Sequence, residues 1–167
     1  MQVADLRTAK NEVSTIKKIV ADIPDGDELF SLRTGKGAES LSYPEAARSL
    51  VHAQAFDTSG IKSGTVGDPR VKGGKSYPIG TGWAGGLGGL FFEGSTLAET
   101  ILLNFIVCDV EASDLFSQED VPSWERSIDA VGADGRFPTG RLDLYTWQSR
   151  RIRLIPEDGR VIGVVLT

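Results

Sequence analysis

The chain has 167 residues, a single cysteine and a formal net charge of −5 at pH 7. That length suits one domain or part of a larger one. One thiol excludes an internal disulfide or a multi-cysteine zinc site, and the acidic balance argues against a generic nucleic-acid coat.

The opening "MQVADL" alternates weakly, as a strand would, and lacks the apolar core of a signal peptide. A helix is predicted next, with Ser14 as cap and Val13, Ile16, Ile19, Val20 and Ile23 at helical intervals. "DIPDGDE" (22–28) is a turn broken by Pro24 and Gly26. "ELFSL" (28–32) reads as a short strand or an extended arm, and "RTGKGAES" as a loop. Ser42 and Glu45 form a capping-box pattern that opens a second helix carrying Ala46, Ala47, Leu50, Val51 and Ala53. From Phe56 to Gly89 no apolar periodicity is sustained, and a stretch of that length without an element is usually functional or disordered.

"LFFEG" then reads as a strand. Thr96 and Glu99 cap a third helix with Leu97, Ile101, Leu102 and Phe105 on one face. Its continuation "TILLNFIVC" (100–108) is too short to span a membrane, so a cytoplasmic location is expected, with Cys108 a buried apolar thiol. "EASDLFSQEDVPSW" and "VGADGRFPTG" are loops, and "RLDLYTW" alternates like a strand. "RIRLI-PEDG-RVIGVVL" is a β-hairpin signature. Strands and helices without a βαβ repeat give an α+β class: mixed short elements around a long Gly-rich loop. Val164 to Thr167 stop inside a strand-like run, which suggests a fragment of a longer protein.

Charge is unevenly spread. Residues 1–75 carry eleven Lys and Arg against ten acids, whereas residues 76–167 carry seven Arg, no Lys and thirteen acids. Lys62, Arg70, Lys72 and Lys75 form a local basic stretch that runs into "GTGWAGGLGG" (80–89), six of whose ten residues are glycine. A local patch can guide a phosphate backbone even on an acidic protein.

The glycines match G-x-G-x-x-G at Gly80, Gly82 and Gly85. A dinucleotide fold wants a strand before that pattern and a helix at its end; "KGGKSYP" and "GGLFF" read as neither. A kinase-type loop needs a later lysine, and none follows Lys75. "GGKS" (73–76) has a P-loop ending, but Asp68 or Pro69 stands where the first glycine belongs. A small nucleotide-binding enzyme built on either loop is the rival reading. Two physical readings of the glycines stay open: a backbone that must lie close against a partner such as a DNA minor groove, or a mobile loop or tight sheet corner.

Catalytic signals are poor. The lone His52 lies in the second helix as a structural or surface residue. Asp22, Asp25, Asp27 and Glu28 sit in a turn, and Asp109, Glu111 and Asp114 read as solvated too; no metal or cofactor is expected. Arg151 and Arg153 would share one strand face. With Arg150 they form either a solvated face or a phosphate contact.

The order of these pieces resembles the CasA family: "KKIVA", "LFSL" with "GKG" after it, "GWAGG", "EGSTLAETILLN" and "LYTWQSRRIRL". CasA is the large subunit of Cascade, the type I-E CRISPR surveillance complex. The resemblance implies a non-enzymatic internal part of the CasA N-terminal domain (1–167), with the helical bundle and a DNA wedge loop lying beyond it. It implies an RNA-guided complex that binds target double-stranded DNA and recognises the protospacer-adjacent motif largely from the minor groove, where the code is degenerate. It also implies that a helicase-nuclease is recruited afterwards. Gly82, Trp83, Ala84, Gly85 and Gly86 match the DNA-facing glycine loop, with Lys72 and Lys75 expected on phosphates. Phe30, Ser31 and Leu32 match a loop facing guide RNA and neighbouring subunits, although Asp25, Asp27 and Glu28 precede it with negative charge.

Overall fold

The computed structural model describes residues 6–23, 31, 33–87, 89–105, 120–126 and 138–167. Residues 1–5 of the expected first strand (1–6), Phe30, Leu32, Cys108 and the acidic residues 25, 27, 28, 109, 111 and 114 lie outside them. After a one-turn helix α1 (Lys36–Glu39), in the stretch expected to be loop, comes the longest helix, α2 (Tyr43–Phe56). It starts where the sequence says it should. Glu45 Oε2 accepts from the Ser42 amide at 3.0 Å and from the Ser42 hydroxyl at 2.6 Å, which satisfies one donor orphaned at the helix start. Those bonds hold the Glu45 carboxyl below its ordinary pKa. Ala46 and Ala53 face the core, with Leu50 packed beside them, whereas Ala47 and Val51 point to solvent.

The core forms where α2 meets a C-terminal hairpin. Strands β3 (Ile152–Glu157) and β4 (Arg160–Leu166) pair antiparallel. They are joined by Asp158-Gly159, both at positive φ (46° and 74°), the two-residue turn whose twist suits a hairpin. Pro156 adjoins the register irregularity, where a missing amide donor is tolerated. The expected first helix shrinks to a single 3₁₀ turn, Ile16–Lys18. Ser14 does not cap it. The Ser14 amide and carbonyl are instead exchanged with those of Val164, each bond 2.8 Å. Leu41 pairs with Val161 in the same way. The apolar pattern still served burial: Ile16, Ile19, Val20 and Ile23 join Leu41, Ile152, Val161 and Val164 in the core, while Val13 is exposed.

Three further elements differ from the sequence expectation. The supposedly element-free stretch contains a second antiparallel pair, β1 (Gly60–Ser63) with β2 (Lys75–Ile79). These strands are short and polar, so their periodicity is invisible. "LFFEG" is not a strand, because side chains claim its backbone: Asn104 Oδ1 accepts from Phe92 N at 2.9 Å, and Asn104 Nδ2 donates to Phe92 O at 2.8 Å. Third, "RLDLY" is helix α4 (Arg141–Tyr145). The distant carboxylate of Asp120 accepts from the amides of Leu142 (3.1 Å) and Asp143 (3.0 Å), and Asp143 is fully buried against Arg126 at 3.3 Å.

The third helix, α3 (Leu97–Leu103), has its expected cap, with Thr96 Oγ1 accepting from Glu99 N at 3.1 Å. Its apolar side chains are not buried: Leu97, Ile101, Leu102, Leu103 and Phe105 all stand exposed, as do Leu90, Phe91 and Phe92. The class is α+β as expected. Among the described residues no helix is long and apolar enough to cross a membrane.

The two antiparallel pairs are tied together by charge. Asp68 accepts from Arg70 at 2.8 Å and from Arg151 at 2.7 Å, with its side chain only 2% exposed. The Arg70 bonds, then Arg151, hold its carboxyl well below the ordinary range against the opposing effect of burial. A depressed carboxylate stabilises the fold above its unfolded pKa and loses that contribution as pH falls from about 4 towards the folded value. The melting temperature should therefore be level from neutral pH to about 5 in this respect and fall below about 4. The penalty of Asp68→Asn should shrink over the same interval. An equal penalty at pH 7 and pH 3 in parallel thermal melts would contradict this assignment.

Candidate nucleic-acid interface

The glycine loop is built on the end of α2. An α-helix leaves its last carbonyls unpaired, and here loop amides supply the missing donors. Ala84 N donates to Ala55 O at 2.8 Å, Trp83 N to Gln54 O at 3.4 Å, and Gly82 N to Asp57 O, just past the helix, at 2.7 Å. The approach is so close that a Cβ on Gly82 would lie 2.5 Å from the Ala55 carbonyl carbon. Gly82 is buried, and only glycine fits there.

A clamp of four polar side chains, Gln54, Asp57, Lys62 and Arg150, holds this junction. Gln54 exchanges two 2.8 Å bonds with the backbone of Arg150. The Arg150 guanidinium, 2% exposed, pairs with the Asp57 carboxylate and donates to Gly80 O at 2.6 Å and Asp57 O at 3.3 Å. Lys62 Nζ reaches the same Asp57 carboxylate at 2.7 Å. Arg150 therefore serves as an internal tie. Arg151 bonds Thr65 and Asp68, and Arg153 bonds Leu6 O. The three do not form a solvated face: Arg150 is buried, and Arg151 and Arg153 are half-buried with hydrogen bonds within the chain.

Beyond this base the loop faces outward. Trp83 is 41% exposed, Ala84 is half-buried, and Gly85 and Gly86 are exposed. A Cβ on Gly80 or Gly89 would meet nothing within 4 Å, and one on Gly86 only Thr81 Oγ1 at 3.8 Å; none of the three has a left-handed φ. Gly85 is tighter, its Cβ position lying 3.0 Å from Thr81 Cβ.

Of the basic stretch, Lys62 and Arg70 are engaged internally by Asp57 and Asp68. Lys72 and Lys75 are exposed, make no ion pair among the described residues, and flank the tight turn Gly73-Gly74. Their amides and carbonyls are exchanged at 3.0 and 3.1 Å, and directly paired residues present their side chains on one face. Ser31, from the other expected loop, accepts from Arg33 N at 3.1 Å, and Arg33 pairs with Asp22 at 2.8 Å and Glu45 at 3.5 Å. This brings Ser31 close to the start of α2. Its neighbours Phe30 and Leu32 lie outside the described residues.

Other expectations can be placed. A strand, β2, does precede "GTGWAG", contrary to the sequence reading, but turn and coil follow it where a dinucleotide fold needs a helix. His52 is exposed on α2 with its ring 5.2 Å from Phe56. Among the described residues no group of three His, Cys, Asp or Glu side chains could hold a metal. The residues that sequence reasoning missed are Gln54 and Asp57, while Lys62, read as part of the basic stretch, is tied to Asp57. Asp57 carried a signal: a carboxylate just past a helix C-terminus opposes the helix dipole and needs cations nearby.

The family model described as CRISPR-associated protein Cse1 matches residues 1–167. The chain is 31% identical to CRISPR-associated protein CasA/Cse1 of Thermus thermophilus over 166 residues, covering 94% of this chain and 29% of that protein. The crystal structure of Thermobifida fusca Cse1 is similar at a TM-score of 0.81 and 51% identity, over 99% of this chain and 31% of that one. Cse1 from Acidimicrobium ferrooxidans is similar at 0.71 and 37%, with the same coverages. The chain thus spans under a third of these relatives' lengths.

Proposed function

We propose a function from one premise: the chain belongs to the family of CRISPR-associated protein Cse1. Within the RNA-guided Cascade complex it forms part of the CasA N-terminal domain, with the helical bundle outside it. The glycine loop lies against the minor groove of target double-stranded DNA and reads the protospacer-adjacent motif. The role is binding, not catalysis, and it takes place in the cytoplasm. Base pairing with the guide reads the target, as in other RNA-guided systems, and a helicase-nuclease is recruited afterwards. Phe30, Ser31 and Leu32 face guide RNA or a neighbouring subunit.

One observation carries this reading. Gly80, Gly86 and Gly89 are demanded neither by the chain's own packing nor by its backbone conformation. Each glycine costs roughly 0.5–1 kcal/mol in chain entropy relative to alanine. A partner that comes within a methyl group of the loop supplies the missing reason, and a groove about 6 Å wide is such a partner. The clamp at Gly80 and Gly82 keeps the base of the loop in place while its tip remains bare.

Lys72 and Lys75 hold phosphates beside that groove. Phosphate contacts position a protein without carrying sequence information. Changing both to Ala in the assembled complex should weaken binding equally for every flanking motif and lower the salt slope by up to about two units, at about 0.9 per phosphate. The measurement is target affinity across several flanking motifs and salt concentrations. An altered ranking of motifs at an unchanged slope would make the lysines readers instead.

A further inference from the structure

We infer that the chain carries a further anion site, a pocket for one phosphate group beside the β1–β2 pair, with Lys75 on its rim. A cavity of about 130 Å³ is lined by Thr8, Lys10, Glu12, Ile61, Lys62, Ser63, Gly74 and Lys75. Segment 7–9 forms one wall, where Ala9 N donates to Gly64 O at 2.8 Å and Arg7 O accepts from Val66 N at 3.0 Å. A water molecule's share of liquid volume is about 30 Å³, so the cavity has room for a group of five heavy atoms.

Charge selects the ligand class. Asp57 is shared by Arg150 and Lys62, two cations against one carboxylate, and these side chains are only 2%, 14% and 11% exposed for Arg150, Lys62 and Asp57. That triad has a net charge of +1, and Lys62, whose Nζ is held by Asp57, is the member that lines the pocket. Lys10 and Lys75 against Glu12 leave a second net positive charge. Lys10, Lys75 and the Ser63 hydroxyl have no partner among the described residues. The Thr8 hydroxyl accepts from Glu12 N at 2.9 Å, so its own proton is available to donate. Two net positive charges with hydroxyl donors around an open pocket suit a dianionic phosphate or a strand phosphodiester better than a carboxylate or a neutral group. For the strand source, this inference rests on the phosphate role given above to Lys75.

The test uses the full-length protein and inorganic phosphate as the probe. Thermal melts in sodium phosphate and in sodium chloride at equal ionic strength should show a saturable rise specific to phosphate. Lys10→Ala should weaken the apparent phosphate affinity about tenfold, as loss of one charge-assisted contact does, and Glu12→Gln should strengthen it. Phosphate responses identical in wild type, Lys10→Ala and Glu12→Gln overturn the site. The source is read from DNA binding by the assembled complex. A salt slope lowered by about one in Lys10→Ala identifies a strand phosphodiester, and an unchanged slope with the phosphate response weakened as expected identifies free phosphate. If the Lys72/Lys75 double variant leaves DNA binding untouched while Lys10→Ala abolishes the phosphate response, the groove-side role of the lysines fails and the pocket stands.

Discussion

Arg150→Ala should destabilise the protein by about 3–5 kcal/mol, the usual consequence of removing one partner from a buried ion pair. The guanidinium is almost completely enclosed and serves the Asp57 carboxylate together with the carbonyls of Asp57 and Gly80. Without it the Asp57 carboxylate has Lys62 alone, and the carbonyls of Asp57, Thr58, Gly80 and Ser149 lose a charged donor. Arg150→Lys should recover little, since a single ammonium cannot span a carboxylate and separate carbonyls as a planar fork does. Gln54→Ala should give a smaller loss in the same direction, because it removes the two bonds that aim the Arg150 backbone. Chemical denaturation of the three variants tests this, and a change under about 1 kcal/mol for Arg150→Ala would mean that the pair contributes no more than a surface bridge.

Two glycine substitutions should separate folding from recognition. Gly82→Ala pushes a Cβ into the Ala55 carbonyl group. Backbone must move, the amide donors of Gly82, Trp83 and Ala84 are displaced from the helix end, and both stability and DNA binding should fall. Gly86→Leu meets only a hydroxyl oxygen at 3.8 Å, so melting should barely change while target affinity drops tenfold or more, about 1.4 kcal/mol or above. Gly85 is a poorer probe because of its 3.0 Å approach to Thr81. Affinity and melting temperature should be measured on the same preparations. A Gly86→Leu complex that binds target DNA like the wild type removes the groove reading of the loop.

Where a fold feature is encoded locally, the sequence announced it. Asp158-Gly159 between apolar runs, Ser42 with Glu45, and Thr96 with Glu99 each act within a few residues, and all three appear as read. Features decided at long range were hidden. The alternation in "RLDLY" was overridden by Asp120, some twenty residues earlier, which supplies the helix start. "LFFEG" has strand composition but no ladder to join, since Asn104 occupies the Phe92 backbone. The candidate site divides in the same way. Its glycines are conspicuous in the sequence, but the residues that seat them, Gln54 and Arg150, stand 96 positions apart, and no local pattern links them.

The wet apolar surface of α3 bears on how the chain behaves in a test tube. Leu90 is fully exposed, Phe91 and Phe92 are 70% and 73% exposed, and Leu97 and Leu102 are 76% and 73% exposed. Apolar surface of this extent is adhesive, and a net charge of −5 gives only moderate colloidal repulsion. The 167-residue polypeptide by itself should bind hydrophobic dyes and scatter light increasingly with concentration, and salt should worsen both by screening the repulsion. Leu102→Glu, a change on a side chain with nothing to lose internally, should raise its solubility without lowering its melting temperature.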